Sequence, residues 1–78
     1  MYTLVGMKDS DFKGSDGAQV SGVNLYFTYE DEKVKGVATE RVFVHSDRLL
    51  KLSFMPEIGG ECDLRYNKYG KISDIVPA

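Results

Sequence analysis

Apolar and polar residues alternate with a period of two through most of this chain, and this feature most constrains its fold. Successive side chains of a strand point to opposite faces, so the pattern predicts strands that bury one face in a core. We therefore expect an all-β protein whose buried residues come from three such runs. The alternating apolar residues are Val23, Leu25 and Phe27; Val42 and Val44; and Cys62, Leu64 and Tyr66.

Turn signals separate the alternating runs. They are glycine-rich or polar segments at 14–17, 30–36, 56–60 and 67–70, of the composition that favours tight turns. One segment, 46–52, predicts a short helix, with Ser46 or Asp47 as its N-cap and Pro56 as the residue that must end it. Together with these turn segments, the alternating runs predict strands near 2–12, 18–30, 36–45, 60–68 and 71–76.

Three strands, a short helical or irregular connection and a final hairpin follow one another in the order of the OB-fold. That fold is a five-stranded, partly open barrel that commonly binds oligonucleotides. Another small barrel, such as an SH3-like one, would have a similar length and strand count. The chain has 78 residues, which fits one domain spanning 1–78.

The chemistry of the side chains argues against an enzyme and against a metal site. Cys62 is the only cysteine and His45 the only histidine, so the spacing of a structural zinc site is missing. Asp47 follows His45 closely, but no nucleophile completes a catalytic constellation. We expect no cofactor. The scarcity of cysteine and the lack of a signal-like or membrane-spanning apolar run predict a cytoplasmic protein with no membrane partner.

The polar face of the second and third strands carries the first candidate site. If Leu25 and Val42 face the core, then Tyr26, Arg41, Phe43 and His45 lie together on the outer face. Aromatic rings that stack on bases and cations that follow phosphates are what single-stranded nucleic acid requires. Two structural alternatives stay open, a cross-strand pair of Tyr26 with Phe43 and a dimer interface, and a small ligand is a third.

The last hairpin is the second candidate site. Arg65, Lys68, Tyr69 and Lys71 interleave basic and aromatic side chains, which suits a clamp on a nucleic-acid strand. An ordinary hairpin with no binding role, in which Gly70 takes the positive-φ position, would have the same sequence pattern. The net charge of −2 opposes phosphate binding, but the charge is uneven, with −3 on residues 1–40 and +1 on residues 41–78.

In length and inferred strand order the chain resembles the filamentous-phage helix-destabilising proteins, and its closing run Tyr69–Ala78 resembles the end of those proteins. The segments Tyr2–Gly6 and Asn24–Tyr29 are similar to small proteins of Gram-positive phages and conjugative elements. The resemblance implies an OB-like barrel, a symmetric homodimer and the coating of single-stranded DNA without sequence preference, with no metal or cofactor. It also implies that Tyr26 and Tyr69 stack on bases.

These observations predict a non-sequence-specific single-stranded DNA-binding protein that supports replication or transfer of a phage or mobile element. RNA as the ligand is not distinguished from DNA by the sequence. The alternative is a protein-interaction module with the same barrel, whose acidic turn at 30–32 contacts a basic partner.

Overall fold

A computed structural model describes all residues from 1 to 78 as one antiparallel sheet of five strands and a single helical turn. All five predicted strands are confirmed, and their ends differ from the prediction by at most two residues. The elements are β1 (Tyr2–Lys13), β2 (Gln19–Tyr29), β3 (Ala38–His45), α1 (Ser46–Leu49), β4 (Glu61–Tyr66) and β5 (Ile72–Pro77).

The sheet has the strand order β3-β2-β1-β4-β5. β1 pairs with β2 over most of its length, with a register shift between Leu4 and Gly6, but it meets β4 only at Tyr2 and Thr3. The far half of the β1–β2 hairpin therefore extends beyond β4, and the molecule is 42 Å long. The all-β prediction is confirmed.

The two edge strands do not close the sheet into a complete barrel. The backbone pairs join β3 to β2 and β5 to β4, and no ladder joins β3 to β5. We call the gap between β3 and the β4–β5 hairpin the seam. Edge strands leave one side of their backbone unpaired, so β3 and β5 each have N–H and C=O groups that no neighbouring strand pairs.

The core draws one or two residues from every strand, as the alternation predicts. Cys62 is fully buried, and Val23 is only half-buried but packs against the core. The prediction is wrong for Tyr66, which is 43% exposed, because a register shift between Arg65 and Tyr66 takes the ring out of the alternating pattern. The buried cluster is Leu4, Leu25, Phe27, Val42, Val44, Cys62, Leu64 and Ile75.

The connection between β3 and β4 is less helical than predicted. Its helix covers only Ser46–Leu49, and its N-cap is His45, with no side-chain hydrogen bond. Ser46 is already the first helical residue, so both predicted N-caps are wrong. The helix also ends well before Pro56, which is buried instead. No helix of the protein is long and apolar enough to cross a membrane.

Tertiary packing holds this connection in place after the helix ends. Four of its residues pack against the core, namely Leu49, Leu52, Phe54 and Met55. Ser53 then fastens the connection to β5, since its backbone N–H and its hydroxyl both donate to the Asp74 carboxylate, at 2.9 and 2.5 Å. These hydrogen bonds lower the pKa of Asp74, because they stabilise the charged form.

Candidate nucleic-acid interface

The outer face of β2 and β3 carries the residues predicted for the first site. Tyr26 lies directly opposite Arg41, and Asn24 lies opposite Phe43. The rings of Tyr26 and Phe43 are half-buried, whereas Arg41 and His45 are exposed. Since side chains two apart on a strand share a face, the structure places all four predicted residues on the same surface.

Phe43 is the centre of a small aromatic cluster on this surface. Its ring centroid is 5.7 Å from that of Phe12 and 5.2 Å from that of His45. Phe12, which is 48% exposed, was missed by the sequence analysis. The available signal was its position as a lone aromatic residue between Asp11 and Lys13 in a polar stretch of β1. The cluster presents partly exposed aromatic surface beside the cation of Arg41, which lies on the same face of β3.

Tyr26 and Phe43 do not form the cross-strand pair that was one alternative. Each ring instead covers a glycine. A Cβ atom on Gly6 would lie 3.6 Å from Cδ2 of Tyr26, and one on Gly22 would lie 2.5 Å from Cζ of Phe43. Each ring therefore packs against the backbone of the neighbouring strand.

A groove of about 450 Å³ follows the seam. It brings together four predicted residues from both candidate sites, namely Arg41, Phe43, His45 and Lys71. Arg48 of α1 and Glu40 also line it. With His45 neutral, three cations face one carboxylate, so the groove has a local charge of +2 on a chain whose net charge is −2.

Glu40 is held at the wall of this groove by Tyr66. The Tyr66 hydroxyl donates to Oε2 of Glu40 at 3.1 Å and thereby crosses the seam from β4 to β3. Partial burial of the ring, followed by its interactions with Tyr2 and Glu40, raises the pKa of Tyr66. The hydroxyl is therefore a donor at neutral pH, and it occupies one acceptor oxygen of the groove's carboxylate.

The β4–β5 turn forms a hydrogen-bonded, exposed tip beside the groove. Oδ1 of Asn67 accepts hydrogen bonds from the backbone N–H groups of Tyr69 and Lys71, at 2.9 and 3.0 Å. Gly70 has a φ of 77°, as the predicted turn requires. Lys68 Nζ lies 5.1 Å from the centroid of Tyr69, whose side chain is 74% exposed.

Arg65 is one of four predicted residues that do not line the seam groove; the others are Tyr26, Lys68 and Tyr69. Arg65 lies in β4 opposite Asp74. Arg48, in contrast, was not among the predicted site residues but lies in the groove. Its position depends on where the short helix α1 ends, which local sequence does not determine.

A second hollow, of about 800 Å³, has the opposite charge. It lies at the other end of β3 and β4, where the β2–β3 loop meets the start of β4. Its lining includes four carboxylates and the amino-terminal residue, namely Glu30, Asp31, Glu32, Glu61 and Met1. No group of three or more metal-ligating side chains is placed to hold an ion. Charge is therefore separated along the strands.

Comparison with protein families, with curated proteins and with solved structures found no match.

Proposed function

We propose that the protein binds single-stranded DNA without sequence preference, through the aromatic outer face of β2–β3 and the cationic seam groove beside it. One observation carries this proposal: Phe43 belongs to both surfaces, since its ring lies in the cluster with Phe12 and His45 and also lines the groove with Arg41 and Lys71. Bases and phosphates of one strand would thus meet adjacent surfaces.

The chemistry of the two surfaces suits a single strand. Stacking of a base on an aromatic ring contributes roughly 1–3 kcal/mol and does not depend on base identity. Tyr69 at the hairpin tip adds another exposed ring beyond the groove. The separation of charge answers the objection raised by the acidic composition, because phosphates respond to the local field of the groove more than to distant carboxylates that salt screens.

The wider role that we propose is support of replication or transfer of a phage or mobile element in the cytoplasm. A homodimer suits this role, because a chain of 78 residues with a single cysteine has a small core and no intrachain disulfide to stabilise it. The proposed activity is binding alone, with no catalytic step and no cofactor.

The acidic hollow favours a second candidate function. Four carboxylates around one concave surface would attract a basic segment of another protein. The protein would then be an interaction module, and its outer aromatic residues would contact the same partner. The two functions predict different ligands for the same chain.

Anisotropy of a fluorescein-labelled oligo-dT tests the proposed function. We expect binding at low salt that weakens as salt rises, because phosphate contacts release counterions. A parallel titration with oligo-rU tests whether RNA binds as well. Absence of binding to both at low salt would contradict the proposal and favour the interaction module.

A further inference from the structure

The cations of the seam groove come from three separate elements. Arg41 belongs to β3, Arg48 to α1 and Lys71 to the residue just before β5. None of the three forms an ion pair within 4 Å, since the one ion pair of this kind joins the Met1 amino group to Asp63. Three cations therefore converge on one groove. Arg48 also interacts electrostatically with the Asp74 carboxylate, which is already hydrogen-bonded to Ser53.

The composition of the groove differs from that of the outer face. The two surfaces share Arg41, Phe43 and His45. The outer face adds the rings of Tyr26 and Phe12, which match flat bases. The groove adds the cations Arg48 and Lys71 around a concave space. The phosphodiester is the anionic group of a nucleic acid, and its oxygens accept hydrogen bonds from Arg and Lys. The two surfaces therefore match different parts of a nucleotide.

We infer that the seam groove is a phosphodiester-binding subsite formed by Arg41, Arg48 and Lys71, so that the sugar-phosphate backbone lies in the seam and the bases turn outward onto Tyr26 and Phe43. This inference rests on the proposed function and adds the orientation of the strand. It also assigns Arg48 a contact with the ligand.

The carboxylate of Glu40 should repel a phosphate in this subsite. Its removal should therefore tighten binding, whereas removal of a cation should weaken it. Its carboxylate is the one acidic group that lines the groove, and Tyr66 hydrogen-bonds to it. A glutamine at this position keeps an oxygen that accepts the Tyr66 hydrogen bond. Glu40→Gln therefore removes the repulsion of a phosphate without removing the contact across the seam.

The experiment compares oligo-dT with an abasic oligonucleotide of the same length, which has the same phosphates and no bases. We expect Arg48→Gln and Lys71→Gln each to weaken the binding of both probes by about fivefold to tenfold at about 0.05 M salt. Each substitution should also make the salt slope shallower by about 0.7. Glu40→Gln should tighten the binding of both. Lys35→Gln, an exposed change in the β2–β3 loop, is the matched control and should change neither.

The outcomes separate this inference from the proposed function. If oligo-dT binds and Phe43→Leu weakens it, but folded Arg48→Gln and Lys71→Gln bind as the wild type does, the subsite is wrong and the proposed function stands. Failure of the abasic probe to bind at low salt would also overturn the subsite. If the wild type binds neither probe, both ideas fail. Circular dichroism of each variant shows that it is folded.

Discussion

Phe43 covers Gly22, its diagonal neighbour on β2, so closely that a methyl group at Gly22 would overlap the ring. The same methyl group would meet the backbone carbonyl oxygen of Val44. The glycine thus determines how close β3 and its aromatic side chain approach β2. The position of the proposed stacking surface depends on the lack of a side chain at one residue.

Gly22→Ala should destabilise the protein by displacing Phe43 or β3. Because overpacking typically costs about 1–3 kcal/mol, we expect a loss of that size in the free energy of unfolding, measured by urea denaturation. Ser21→Ala, an exposed neighbour on β2, is the control and should change it by less than about 0.5 kcal/mol. Equal stability of Gly22→Ala and the wild type would show that the ring does not rest on Gly22.

Tyr26→Leu and Phe43→Leu should each weaken oligo-dT binding by roughly 1–3 kcal/mol, the usual contribution of one stacked base. Leucine keeps apolar cover over the glycine, so the free energy of unfolding should change less. The matched control is Tyr29→Leu, since Tyr29 pairs with Tyr2 away from the groove. Unfolding of the Phe43 or Tyr26 variant would place that ring in the core instead.

Protonation of Asp74 in acid should remove part of the protein's stability. Its pKa is lowered in the folded state, first by the hydrogen bond from the Ser53 hydroxyl. The resulting stability is present above the unfolded pKa of about 3.9 and is lost as the pH falls through the lower, folded value. Asp74→Asn should therefore be less stable than the wild type at neutral pH, and the difference should shrink below about pH 4. A constant difference from pH 7 to pH 2 would contradict this account.

Cys62 should react slowly with a thiol reagent in the native protein. Its side chain is fully buried, and burial, followed by the nearby Asp63, raises the pKa of the thiol. The reactive thiolate is thus both scarce and inaccessible. Labelling in denaturant should be fast and serves as the control. Fast labelling under native conditions would mean that β4 opens readily.

Light scattering at micromolar concentration should give about twice the monomer mass of 8.7 kDa, as the proposed homodimer requires. The mass of the Phe43→Leu variant, measured in the same way, tests whether the outer aromatic residues form the dimer interface. If this variant is a monomer while the wild type is a dimer, Phe43 belongs to the dimer interface. A wild-type monomer throughout the concentration range would remove the dimer.

Strand positions and core residues were predictable because the pleat has a period of two. That period depends only on local backbone geometry, so Leu25, Val42 and Cys62 were assigned to the core without any knowledge of the partner strands. The same reasoning placed Tyr26 and Phe43 on the outer face. The prediction was wrong at Tyr66, where a register shift interrupts the period.

The assembled site was only partly predictable, because it depends on contacts between residues far apart in the chain. Phe12 reaches Phe43 across the intervening strand β2, and Arg48 reaches the groove from a helix that ends earlier than predicted. No local pattern contains either contact. The groove itself exists because β3 and β5 do not pair, and the alternation of side chains carries no information on sheet closure.

The Tyr66–Glu40 hydrogen bond is the one side-chain hydrogen bond that crosses the seam. Within a sheet, backbone ladders hold neighbouring strands about 4.8 Å apart, but across the seam no ladder imposes a spacing. The width of the opening is therefore set by side chains: by this hydrogen bond, whose net contribution is about 0.5–1.5 kcal/mol, and by the core that Val42 and Val44 share with Leu64 and Ile75.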